Sequence, residues 1–228
     1  MGRPRLYSCT EGAPPTGGAT RRRSRMDTQP TALVVVAHHR ADSLTAALAR
    51  RTAARLETAG YRVDLLDLHG EGFDPRGRVE DEPDYGNRDK RYSDEVHAHA
   101  DRVLAADLVA AVFPVWWFGL PALMKGWIDR VWNYGLTYGR REKPMAGKRM
   151  LWLGLAGLPE DDPNADLVTA LLDGALRRGI AEFCDIADVH TQALFDSEGK
   201  DLHCDARERH YADLFARTDD AVDKLLAG

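Results

Sequence analysis

Two stretches of this chain hold the side chains best suited to chemistry. The first runs Phe113-Pro-Val-Trp-Trp-Phe-Gly-Leu-Pro-Ala-Leu-Met-Lys-Gly-Trp-Ile-Asp-Arg-Val-Trp132. Trp116, Trp117 and Phe118 cannot all point into one core, so at least one of them lines a surface or pocket. A flat apolar ring can lie against such residues while loop N–H groups hydrogen-bond its polar edge. The second stretch, His38-His-Arg-Ala-Asp-Ser-Leu-Thr45, leads into a helix. Unpaired N–H groups and the helix dipole favour an anion such as phosphate at that end. Ser43 and Thr45 add hydroxyl donors, and His38 adds an N–H. Ser43 serves equally as a plain N-cap, with Asp42 as the alternative cap, because capping and phosphate binding use the same geometry. Neither G-x-G-x-x-G nor a Walker lysine pattern is present.

The elements around these stretches are legible from periodicity. Ala32–Ala37 is a short β-branched run, as expected of a central parallel strand covered on both faces. A helix from Leu44 to Ala59 follows, with Leu44, Leu48 and Leu56 on one side, and Arg62–Leu68 reads as a second strand. Residues 69 to 92 are polar and turn-rich, and a connection that long usually has a function. Asp94–Leu104 is a modest helix on which His97 and His99 fall on different faces, as solvated residues and not joint metal ligands. The strand Asp107–Phe113 turns through Pro114 and Gly119 into a helix beginning at Leu120-Pro121, whose buried face carries Leu123, Met124, Trp127, Ile128 and Val131. Lys125 and Asp129 sit four apart on its other face. An aromatic loop at Tyr134–Tyr138 and a basic turn from Arg140 to Lys148 precede the strand Met150–Leu155. Asn164–Arg178 reads as a helix with Leu167, Leu171, Leu172 and Leu176 inward. A last strand lies within Asp185–Ala193, and a helix from Asp205 to Leu226 closes the chain.

This alternation predicts an α/β fold, a flavodoxin-like doubly wound five-stranded parallel sheet with helices on both faces. Its ligand site is expected at the strand C-termini where the winding reverses, between the first and third strands. The His38–Thr45 and Pro114–Phe118 loops end those two strands. In such a site a flavin needs hydrogen-bond donors along its reactive edge and one open face. Backbone N–H groups of Trp117, Phe118, Ala156 and Gly157 are the candidate donors.

Composition narrows the function classes. A formal net charge of -5 over 228 residues argues against general nucleic-acid affinity, which needs concentrated positive charge. No apolar run approaches a membrane span. Cys9, Cys184 and Cys204 form no metal-ligand pattern and no disulfide scaffold, which makes a reducing cytoplasm the default and Cys184 an inert buried thiol. No metal site is expected. Residues 1 to 30, with Arg21-Arg-Arg-Ser-Arg25 and almost no apolar periodicity, are expected to be a disordered extension ahead of a single domain over 31–228. Met26 is an alternative start.

The stretch from Phe113 to Val131, with Val36-Ala-His-His-Arg-Ala-Asp-Ser43, resembles the NAD(P)H:quinone oxidoreductase family, which includes DT-diaphorase and bacterial quinone reductases. The resemblance implies a flavin-dependent homodimer with each active site at the subunit interface. It implies that His38, Ser43, Leu44 and Thr45 lie around the flavin phosphate. Pro114, Val115, Trp116, Trp117 and Phe118 would run along the isoalloxazine, with Gly154, Leu155, Ala156 and Gly157 at its pyrimidine side. Tyr138 matches a tyrosine that closes over the substrate from the neighbouring subunit, so Tyr138, Trp117 and Phe118 are the implied catalytic residues. Where the animal enzymes have Thr-Thr-Gly-Gly, this chain has Gly154-Leu155-Ala156-Gly157, and their tyrosine–histidine proton relay falls near Asp162 and Val168. The long C-terminal extension of the animal forms is also missing, which favours FMN, with FAD as the alternative. The implied activity is hydride transfer from NAD(P)H to a quinone or similar flat acceptor by a ping-pong mechanism. Two alternatives stand beside it: a regulatory flavoprotein subunit of a glutathione-gated potassium efflux system, and a one-electron flavodoxin carrier.

Overall fold

The computed structural model describes residues 29–200 and 202–228. The expectations for the N-terminal extension, for Met26 as a start and for Cys9 fall outside those residues. In chain order the elements are β1 (Thr31–Val36), α1 (Leu44–Thr58), β2 (Arg62–Asp67), α2 (Asp94–Ala105), β3 (Leu108–Pro114), α3 (Ala122–Val131), β4 (Arg149–Leu155), α4 (Ala165–Leu172), β5 (Asp188–Leu194) and α5 (Cys204–Ala227). The strands form one sheet in the order β2-β1-β3-β4-β5, with every pairing parallel. The chain therefore winds outward from β1 in one direction and from β3 in the other, and the reversal lies between those two strands as expected.

Alternation along the central strands supplies two cores. Leu33, Val35, Val109, Ala111, Phe113, Met150 and Trp152 face α2, α3 and α4, where Met124, Trp127, Val131, Val168 and Leu172 meet them. Val34, Val36, Ala110, Val112, Leu151 and Leu153 face α1 and α5, against Leu48, Leu56, Leu214, Val222 and Leu225. At roughly 1.5–3 kcal/mol for each large apolar side chain fully buried, these two layers fix which strand ends meet at the rim. Among the described residues no helix is long and apolar enough to cross a membrane.

Three expectations are corrected by packing. His99 is buried instead of solvated; its Nδ1 accepts from Trp127 Nε1 at 3.3 Å and its ring meets Phe73 edge-on at 5.0 Å. His97 likewise accepts, through Nε2, from the Tyr92 N–H at 3.2 Å. The helix expected over Asn164–Arg178 is α-helical only to Leu172 and continues as a π-helix over Asp173–Ala181. Val168, Leu172 and Leu176 point inward, whereas Leu167 and Leu171 are 47% and 44% exposed. The spacing of four leucines was therefore wider than the face the sheet covers. Lys125 and Asp129 do pair on the outer face of α3.

Candidate functional site

At the C-terminal rim of β1 the chain leaves the sheet through His38 and enters α1 with Ser43 as N-cap. Ser43 Oγ accepts the Ala46 N–H at 3.1 Å, so its own hydrogen is free to donate outward. The N–H groups of Leu44 and Thr45 form no hydrogen bond among the described residues, and no acidic residue occupies the first turn of α1. Those are the conditions under which a helix N-terminus holds an anion. His38 Nδ1 accepts the Arg40 N–H at 3.0 Å, which leaves the proton of the neutral imidazole on Nε2 as a further donor. Burial, followed by the neighbouring His39 imidazole, pushes the His38 pKa below its ordinary value and favours that neutral form.

At the rim of β3 the chain makes a two-residue hairpin. Trp116 and Gly119 exchange both backbone hydrogen bonds, at 3.1 and 3.0 Å, around Trp117 and Phe118. Both central residues are left-handed, with φ of 51° and 61°. Such a turn normally uses Asn-Gly, because a side chain in that region costs roughly 1–2 kcal/mol per residue. Strain of this kind collects at functional sites. The hairpin leaves the Trp117 and Phe118 N–H groups without a hydrogen bond among the described residues and puts the whole Trp117 side chain in solvent at 102% exposure. Trp116 turns back toward the histidines, its ring 6.3 Å from His38 and 6.1 Å from His39.

The two loops meet. His38, Ser43, Leu44, Thr45, Pro114, Val115, Trp116, Leu155 and Gly157 border one cleft of about 190 Å³. A wider cavity of about 620 Å³ adjoins it, sharing Val115 and Gly157 and carrying Trp117 and Phe118. Gly154 and Ala156 border neither. Gly154 is buried inside β4, where a Cβ would stand 2.9 Å from Val115 Cγ2 and 3.3 Å from Phe113. Ala156 is also fully buried, and its N–H is consumed by the Leu194 carbonyl at 2.8 Å, so it is no donor to the cleft. β4 and β5 stay paired to their last residues, and that pairing takes the group the sequence suggested was free. Gly157 lies beyond the pairing, and its N–H has no partner among the described residues.

Sequence reasoning passed over the loop after β5. Ser197 and Glu198 border the cleft, and a Cβ on Gly157 would stand 2.7 Å from Glu198 Oε1. The Glu198 carboxylate pairs with Lys200 at 2.7 Å. The signal was available, since β5 ends on the same rim as β1 and β3. Of the basic residues from Arg140 to Lys148, Arg140 meets Asp89, Lys143 meets Asp185, and Lys148 donates to the Leu104 carbonyl.

Tyr138 lies elsewhere. It borders a cavity of about 290 Å³ with Tyr85, Trp132 and Phe183, none of which touches the cleft of the same chain. Burial, reinforced by the Tyr85 hydroxyl, pushes the Tyr138 phenol above its ordinary value. It therefore keeps its proton. Nearby, burial pushes the Cys184 thiol up to about 11, an inert group as expected.

A family model described as flavodoxin-like fold matches residues 30–217. The chain belongs to this family. It is 36% identical over 197 residues to the Escherichia coli (strain K12) protein named Uncharacterized NAD(P)H oxidoreductase YcaK, covering 84% of this chain and 96% of that one. Among solved structures it is similar to the NAD(P)H:quinone oxidoreductase from Methanothermobacter marburgensis, with a TM-score of 0.72 at 20% identity over 87% of this chain and 98% of that one. It is also similar in fold to general stress protein 14 from Treponema denticola in complex with FMN, with a TM-score of 0.57 at 20% identity over 84% and 99% of the two chains. The kinship with the NAD(P)H:quinone oxidoreductases read from the aromatic stretch is borne out.

Proposed function

We propose that this chain is a flavin-dependent NAD(P)H oxidoreductase that passes two electrons to a quinone or similar flat acceptor. Its relatives are named as NAD(P)H oxidoreductases, and enzymes of that class are the reading its family supports. The observation that carries the reading is that a helix N-terminus with no acidic residue in its first turn borders one cleft, while a strained aromatic hairpin with two unpaired N–H groups borders the cavity that adjoins it. The donor set fits FMN. His38 Nε2–H, Ser43 Oγ–H, Thr45 and the first N–H groups of α1 hold a phosphate. The N–H groups of Trp117, Phe118 and Gly157 face acceptor atoms at a ring edge, and Val115 and Leu155 supply apolar contact. FMN is preferred over FAD, and one structure of similar fold was solved in complex with FMN. When bound, the flavin supplies a ring nitrogen that takes up and returns a hydride. The exposed face beside Trp117 and Phe118 receives NAD(P)H and acceptor in turn, which is ping-pong kinetics.

A homodimer completes the site in this reading. Leu167, Leu171, Phe183 and Trp117 are large, apolar and exposed, and a second copy is proposed to cover them. Tyr138 and Phe183 are then the partner's contribution over the acceptor, with the Tyr138 hydroxyl orienting it.

The deciding experiment is the absorbance spectrum of the purified protein, with mass analysis of whatever is released on denaturation. A flavin band, FMN mass and rapid menadione reduction by NADPH with parallel-line kinetics are expected. A colourless preparation that binds neither FMN nor FAD sinks the proposal. Bound flavin with negligible turnover, together with tight binding to a transporter domain, would favour the regulatory subunit.

A further inference from the structure

Residues 69 to 92 form a long connection, and its second half is tied repeatedly to the Tyr134–Tyr138 turn. Asn133 donates through Nδ2 to the Asp81 carbonyl at 2.7 Å, while the buried Arg130 guanidinium holds the Asp81 carboxylate at 2.8 Å. Tyr92 donates its hydroxyl to the Tyr134 carbonyl at 2.6 Å. Arg140 reaches back to the Arg88 carbonyl at 3.2 Å and the Asp89 carboxylate at 2.9 Å. Gly135 has a φ of 81°, and a Cβ there would stand 2.1 Å from the Arg88 carbonyl oxygen. Only glycine permits that approach.

The same contacts deliver a side chain. The Tyr85 ring lies 5.3 Å from Tyr134, which lies 5.8 Å from Tyr138, which lies 5.3 Å from Phe183. Three separate segments thus build one row of four rings, and Tyr85, at its outer end, is 69% exposed. Tyr85, Tyr138 and Phe183 border one cavity of about 290 Å³, at the small end for a ligand pocket.

We infer that the segment from Val79 to Tyr92 is a brace for Tyr138, and that Tyr85 is a specificity-determining residue for acceptors with more than one fused ring. The second part rests on the two-chain site proposed above. Of the rings that border that cavity Tyr85 is the most exposed, so it meets an acceptor that extends outward past Tyr138, as a fused two-ring quinone does and a one-ring quinone does not.

Two measurements test this, and one of them needs neither flavin nor turnover. In Tyr92→Phe, amide hydrogen exchange across residues 134–138 should quicken about fivefold, the loss of one hydrogen bond, while β1, β3 and β4 keep their protection. Unchanged exchange overturns the brace whatever the enzyme does. In the flavin-loaded enzyme, Tyr85→Ala should raise KM for menadione roughly 5- to 10-fold more than KM for benzoquinone, the size of an aromatic pair contact, with kcat moving less. Tyr85→Phe should recover most of the difference. Equal changes for both quinones, or none, overturn the specificity role. If the wild-type protein reduces neither quinone, the specificity role falls with the proposed function, and the exchange result alone decides the brace.

Discussion

The two loops that meet at the rim solve opposite local problems. His38–Thr45 is relaxed: Ser43 caps α1 with an ordinary β-region backbone, and His38 accepts a neighbouring N–H. Trp116–Gly119 is strained, with two aromatic residues in a conformation suited to glycine and asparagine and one indole wholly in solvent. A helix entry serves folding and anion binding with the same atoms, so no conflict arises there. A hairpin that leaves two N–H groups unpaired does nothing for the fold, which tolerates the cost because one end continues β3, with the Val115 N–H donating to the Leu155 carbonyl of β4 at 2.7 Å, and the other leads directly into α3.

The largest expected effect separates capping from binding. Ser43→Asp keeps an equally good N-cap but sets a carboxylate where a phosphate is proposed. Its FMN affinity should fall a hundredfold or more, on the order of 3 kcal/mol at close range, with the unfolding midpoint nearly unchanged. Fluorescence titration and chemical denaturation of one sample give both numbers, and an unaltered affinity would remove Ser43 from the phosphate end.

A smaller effect has opposite signs at the two loops. Trp117→Asn suits the left-handed turn and buries nothing less, so it should stabilise the apoprotein by about 1 kcal/mol while lowering turnover. Ser43→Ala loses the cap and should destabilise by about 1 kcal/mol. Should both variants destabilise alike, the hairpin is not strained and the two loops do not differ in this way.

The smallest effect is a pH dependence to which one of the two loops contributes and the other does not. Burial, with His39 second, sets the folded pKa of His38 below the unfolded 6.5, and burial does the same for His99. A lowered folded value means the unfolded chain binds the proton more readily. This contribution to stability is therefore full above about pH 6.5 and is lost as the pH falls through the folded values. His38→Gln should flatten part of that acid slope. Trp117→Asn, in a hairpin with no titratable group, should shift the whole curve without changing its slope.

Much of this was legible in the chain because it is local. Short β-branched runs, helical spacings and a Ser-Leu-Thr helix entry report on their own few residues. Alternation of strand and helix then fixed the sheet order, since right-handed crossovers leave few other windings. What each exposed loop presents was not legible. Whether Leu167 and Leu171 are covered depends on where α4 meets the sheet. Whether Ala156 can donate depends on how far β5 follows β4, and His99 is buried because Phe73 and Trp127 arrive from two other segments.

The amino-acid sequence by itself determined the order of the elements, a capped helix entry at Asp42 or Ser43 and the meeting of two unusual loops at the winding reversal, because hydrogen-bond capping and hydrophobic period act over a turn or two. Only the tertiary structure decided the left-handed hairpin at Trp117 and Phe118, the arrival of Glu198 beside Gly157, and the row from Tyr85 to Phe183. Each of these comes from segments far apart in the chain, and their positions follow from how whole layers pack.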